Sequence, residues 1–114
     1  MPFINSKVSV SLTQEQETAI KTLLGEAITL IPRKSEKWLM VGFEPESKLY
    51  FQGSNAEPTA FVEVSIFGEE NPQAFADLTA AICKIYQQVL HIAPDHVYVK
   101  YSATKSWGWN GTNF

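Results

Sequence analysis

The first group in this chain that could do chemistry is an amine. Met1 is followed by Pro2, and a small second residue is the pattern that lets an initiator methionine be removed. Trimming leaves a secondary amine on a pyrrolidine ring, at the head of the apolar stretch Pro2-Phe3-Ile4. An ordinary α-amino group titrates near ~8, about one to two units above a useful base at neutral pH. A ring amine starts more basic, so it serves as a base only where its surroundings lower it. With Met1 in place the same nitrogen is an amide and cannot act as a base. Rivals are few. His91 and His96 lack metal-ligand spacing and a carboxylate cluster, so no metal site is expected. Cys83 is the single cysteine, which excludes an internal disulfide. Among Ala80, Ala81, Ile82 and Ile85 it reads as a small core residue. Lys34 stands in a basic segment with Arg33 and Lys37, which by itself reads as solvated.

The elements that must position these groups follow from periodicity. Pro2 to Val10 reads as a strand. Thr13 and Gln16 form a capping box, and Ile20, Leu23, Leu24, Ala27, Ile28 and Ile31 make one helical stripe ahead of Pro32. Lys37 to Phe43 is a second strand, limited by Pro45, and the turn-rich stretch 52–58 separates the halves. The order then repeats. Thr59 to Phe67 is a strand ending at Gly68. Asn71-Pro72 opens a helix carrying Phe75, Leu78, Ile82, Ile85 and Val89, and His96 to Ser102 is the last long strand. The reading is one domain over 1–114, with units at about 2–45 and 58–102 and a tail at 103–114. Each unit implies a parallel strand pair with a right-handed crossover. The expected fold is an α/β two-layer sandwich of two pseudo-symmetric β-α-β units, a four-stranded mixed sheet with both helices on one face.

The other face of that sheet is unusual. Ala60, Val62, Val64 and Ile66 suit the helices, whereas Phe61, Glu63, Ser65 and Phe67 point away, as do Trp38, Met40, His96, Tyr98 and Lys100. That surface is too aromatic for free solvent and too polar for a sealed core, which points to a partner. Three copies in a ring would cover it and pair the sheet edges, and a homo-oligomer is expected. Nine basic against twelve acidic residues give a net charge of −3, with no basic stripe for nucleic acid or an anionic membrane. No apolar run reaches membrane-span length, and the start lacks the basic and apolar regions of a signal peptide. The expectation is a cytoplasmic protein, with non-classical secretion leaving no mark in the sequence.

Taken together, several stretches resemble the tautomerase superfamily in its macrophage migration inhibitory factor and D-dopachrome tautomerase branch. They are Met1-Pro2-Phe3-Ile4, Lys34 four residues ahead of Trp38, the stretch 53–58, Ile66-Phe67-Gly68, Ala93 to Val99, and the tail Trp107 to Phe114. The resemblance spans the whole chain. It implies a homotrimer with active sites at subunit interfaces and a cofactor-free keto–enol tautomerase of phenylpyruvate-like 2-keto acids. It also allows a second reading, a secreted cytokine-like ligand of host receptors whose tautomerase activity is incidental.

The resemblance assigns roles. Pro2 nitrogen is the general base once Met1 is gone. Lys34 matches the carboxylate-binding lysine, and Phe67 the position that offers a backbone N–H to substrate. Tyr98 matches a pocket tyrosine contributed by the neighbouring subunit. Lys100 stands where the resembled branch carries asparagine, and either adds a cation to the pocket or turns away to Glu63. Phe3, Trp38, Trp109 and Phe114 are candidate pocket lining, with the tail folded over the mouth. The Cys-x-x-Cys motif of the relatives falls on Thr59 to Val62 and is missing, so no thiol oxidoreductase activity is expected. Asn110-Gly111-Thr112 is a glycosylation sequon by pattern only.

Overall fold

The structure is a computed structural model and describes residues 1–114. Strand β1 (Pro2–Val8) alternates strictly, with Pro2, Ile4, Ser6 and Val8 buried under the helices. The leading proline needs no ladder donor at a strand's first residue. Helix α1 (Gln14–Ala27) starts at the expected capping box, in which Thr13 Oγ1 accepts from the Gln16 N–H while Gln16 Oε1 accepts from the Thr13 N–H. Its last turn tightens to a 3₁₀ form over Ile28–Leu30, so the helical stripe reaches Ile31 although the α-helix stops earlier.

Strand β2 (Met40–Glu44) starts later than the sequence suggests. β1 begins at Pro2, and Phe3 pairs with Met40. Leu39 therefore faces only Pro2, which has no N–H to give, residues before it have no strand beside them, and Glu36–Trp38 coil into a 3₁₀ turn instead. The same logic corrects the last strand. β3 (Ala60–Phe67) pairs with β4 (Val97–Thr104) from Ala60↔Val97 to Phe67↔Thr104, which leaves His96 outside, in the turn Pro94–His96.

Helix α2 (Pro72–Leu90) is N-capped by Asn71, whose side chain accepts from the Ala74 N–H. It buries Phe75, Leu78, Ile82, Ile85 and also Tyr86, a residue absent from the expected stripe. Tyr86 hydroxyl meets Ser6 hydroxyl inside the core, and burial pushes the phenol up to about 12 against the opposing hydrogen bond from Ser6. This pairing explains a serine on the inward face of β1. Cys83 is half-buried, not core. It lies one step past Ile82, which turns it about 100° off the buried stripe.

The sheet order is β2-β1-β3-β4, with β1 and β2 parallel, β1 and β3 antiparallel, and β3 and β4 parallel. Two β-α-β units thus meet back to back along β1 and β3. Both helices cover one face, and 18 buried residues form one apolar cluster there. The opposite face keeps Met40 (68% exposed) and Tyr98 (59% exposed) open. The tail folds as a hairpin of β5 (Gly108–Trp109) and β6 (Thr112–Asn113). Asn110 and Gly111 both take positive φ, the two-residue turn that Asn-Gly favours. The apparent sequon is therefore a turn signal.

Candidate active site

Register decides what meets what. The antiparallel pairing Pro2↔Ile66 brings the start of β1 to the end of β3. One step further, the Phe67 N–H donates to the Met1 carbonyl at 3.1 Å. At the same corner, Lys34 Nζ donates to the Phe67 carbonyl at 2.6 Å. Phe67 backbone therefore touches both the lysine and the peptide group that contains the Pro2 nitrogen. Three of the residues singled out in the sequence converge here.

Local sequence fixes each of them. Lys34 leaves a tight turn closed by its own N–H on the Ile31 carbonyl (3.1 Å). Pro32 locks φ at the first inner position, and Arg33 takes φ 66 at the second, which is the type II pattern. Gly68 follows Phe67 at φ 134, a conformation open to glycine, and donates its N–H to the Thr104 carbonyl at 2.9 Å. A β-carbon on Gly68 would stand 3.9 Å from Lys34 Nζ, an ordinary contact, so it is the backbone angle that calls for glycine here.

The electrostatics suit an amine kept neutral. At Met1 the terminal ammonium is drawn below its ordinary value, first by burial and then by the Lys34 charge. Pro2, the next residue, is more deeply buried than Met1. Lys34 is itself drawn below the usual lysine range, first by burial and then by Arg33.

Lys34, Phe67 and Gly68 line a cleft of about 660 Å³, with Ile31, Pro32 and Arg33 on one side and Glu69, Glu70 and Lys105 on the other. Lys105 pairs with Glu69 at 2.8 Å. The aromatic candidates gather nearby. Trp38 meets Trp109 edge-on, centroids 5.1 Å apart, and Phe67 meets Phe114 at 5.2 Å. The tail hairpin is thereby held against the Lys34–Trp38 segment and the end of β3. Phe3 sits on the open sheet face against Gly42, where an added β-carbon would come within 3.4 Å of its ring.

Tyr98 and Lys100 are elsewhere. Tyr98 pairs with Phe61 at the far end of the sheet, six residues up β4 from Thr104. At about 3.3 Å per residue that is roughly 20 Å from the Pro2 corner. Tyr98 instead packs edge-on against Phe51 (5.2 Å). Lys100 stands beside Glu63 in the register but makes no ion pair with it, since the two ion pairs of the chain are Asp95–His96 and Glu69–Lys105. No single copy joins these residues to Pro2. Sequence reasoning missed the Phe67 carbonyl as the lysine's acceptor, and Arg33 as a cleft residue. The signal for Arg33 was the Pro32-Arg33 pair, a turn dipeptide whose second residue lines the cleft.

A duplicated β-α-β sandwich whose central strand begins at a proline, with a lysine turned onto the facing strand end, has the architecture of the tautomerase superfamily. The family profile described as Macrophage migration inhibitory factor (MIF) matches residues 1–114, and this chain belongs to that family. The crystal structure of Leishmania major MIF2 superposes with a TM-score of 0.93 at 35% identity, covering 100% of this chain and 97% of that one. The macrophage migration inhibitory factor homologue from Prochlorococcus marinus gives a TM-score of 0.81 at 27% identity, over 98% of each chain. Macrophage migration inhibitory factor of Mus musculus is 28% identical over 83 residues, 71% of each protein. Membership carries a tautomerase or MIF-like function in general terms.

Proposed function

We propose that the protein is a cofactor-free keto–enol tautomerase of phenylpyruvate-like 2-keto acids, with Pro2 nitrogen as general base after loss of Met1. The observation that supports this reading is the hydrogen-bonded path from Lys34 through Phe67 to the peptide group of Pro2. Removing Met1 removes its carbonyl as well. The Phe67 N–H then loses its acceptor at the same moment that the Pro2 amine appears. A substrate carboxylate, held by the Lys34 ammonium and this freed N–H, would present C3 to the base. Pro2 takes the C3 proton, the electron pair moves onto the carbonyl oxygen, and the proton is returned to that oxygen to give the enol. Fixed donors at the anionic end stabilise the developing charge.

Tyr98 and Lys100 enter the site only from a second copy. A homotrimeric ring that covers the open sheet face would bring the far end of one sheet to the Pro2 corner of its neighbour. Trp38, Trp109 and Phe114 would wall the site from the tail side.

The test is the decay of enol-phenylpyruvate absorbance with wild type, Pro2→Gly and Lys34→Ala, alongside the intact mass of each. Loss of Met1 together with strong slowing in both variants is the expected result. Unchanged rates in both would refute the assigned roles. A protein that keeps Met1 would favour the receptor-ligand reading.

A further inference from the structure

We propose that Arg33 is a specificity-determining residue: with Lys34 it forms a two-cation cleft that selects 2-oxo acids carrying a second carboxylate. The inference rests on the tautomerase reading above and turns its substrate preference from aryl to dicarboxylic 2-oxo acids.

Arg33 occupies the second inner position of the turn that presents Lys34. Pro32 suits the first inner position of the turn, and the positive φ observed at the second is one where glycine is the ordinary choice. The chain instead carries a long cationic side chain at φ 66, directly beside the lysine. Arg33 is exposed, lines the same cleft as Lys34, and has no carboxylate partner. Its charge is felt at Lys34. Across the cleft, Glu69 is tied to Lys105, which leaves Glu70 as the single acid without a partner. The cleft lining holds three cations and two carboxylates, a local charge of +1 in a chain of net charge −3. Once a substrate carboxylate pairs with Lys34, Arg33 remains as an open planar fork for a second anion. Lys100, the second cation expected from the sequence, lies at the other end of the sheet.

The test compares 2-oxoglutarate with 2-oxopentanoate, which share a chain length and differ in the second carboxylate. Exchange of C3 protons for deuterium is followed by proton NMR for the Met1-trimmed wild type, Arg33→Gly and Arg33→Lys. Glycine suits the positive φ, so the fold is retained. Arg33→Gly is expected to lower the dicarboxylate-to-monocarboxylate ratio of kcat/KM about five-fold, chiefly through KM, as for a solvent-facing charge-assisted pair. Arg33→Lys keeps the charge and is expected to restore most of that ratio. An unchanged ratio in Arg33→Gly overturns the proposal. If wild type exchanges neither acid, the enol-phenylpyruvate assay decides the tautomerase reading, and binding decides the role of Arg33 separately. Titration of the Phe67 amide shift with each acid should then still show the dicarboxylate preference in wild type and its loss in Arg33→Gly. Equal preferences in the two proteins would overturn it.

Discussion

Replacing Lys34 with methionine should move the acid limb of the pH–rate profile upward by about one unit. Lys34 Nζ lies 2.6 Å from the Phe67 carbonyl oxygen, and Phe67 nitrogen lies 3.1 Å from the Met1 oxygen, whose carbon is bonded to Pro2 nitrogen. With the two nitrogens taken roughly 7 Å apart, well inside the unfolded length of this path, a unit charge is worth about 2.4 kcal/mol at an effective dielectric of ~20. Lys34 is half-exposed, and solvent screening reduces that to about half, close to one pKa unit. The sign is fixed. A nearby cation disfavours the ammonium form, so its removal raises the amine's pKa and shrinks the neutral fraction at low pH. Methionine keeps the bulk of the stem, so packing changes little. The assay is kcat/KM for ketonisation of enol phenylpyruvate between about pH 5 and 9, which reports the free enzyme. The variant should lose up to about ten-fold more activity at pH 6 than at pH 8, on top of a uniform loss from the missing anchor. A uniform loss with an unmoved limb would refute the electrostatic coupling and leave Lys34 as an anchor alone. Titration of a ¹⁵N-labelled Pro2 should show the same displacement without substrate.

Tyr86→Phe strands the buried Ser6 hydroxyl. It should cost about 1–3 kcal/mol in urea unfolding, while the double variant with Ser6→Ala recovers part of the loss. Gly68→Ala should destabilise by about 1–3 kcal/mol, because φ 134 is strained for any residue with a β-carbon, and should slow turnover by shifting the Phe67 carbonyl that holds Lys34. Both effects are read from thermal unfolding and the enol assay, and a variant with wild-type stability would contradict the strain. Thr13→Ala removes one half of the capping box and should cost about 1 kcal/mol with no change in kcat/KM.

Much of this molecule was legible because its local signals agree with one another. Thr13 and Gln16 mark the start of α1, Asn71-Pro72 marks α2, and the alternation from Ala60 to Phe67 sorts the two sheet faces correctly. What failed were features set by neighbours distant in sequence. Trp38 and His96 have strand-like surroundings, yet each lies one or two residues before the point where its partner strand begins. The expected stripe of α2 omits Tyr86, whose partner, Ser6, is 80 positions away. The Pro2–Phe67–Lys34 corner was legible as residue types. Its geometry was not, since backbone carbonyls leave no trace in a sequence. Arg33 was passed over as one of several cations, and only the turn that presents it separates it from Lys37.

The back-to-back seam of β1 and β3 has one more consequence. The head of β3, at Ala60, is the internal counterpart of the head of β1, reached by swapping the two halves. At Ala60 the nitrogen is locked in a peptide link to Thr59 and has no chemistry to offer. On the proposed reading, the duplication yields two like corners of which only the one at Pro2 can carry a free amine. Cutting the chain open at Ala60 with proline in its place, and joining the old ends, would move the secondary amine to the silent corner. That corner would then need its own cation, which shows how little of the chemistry resides in the scaffold itself.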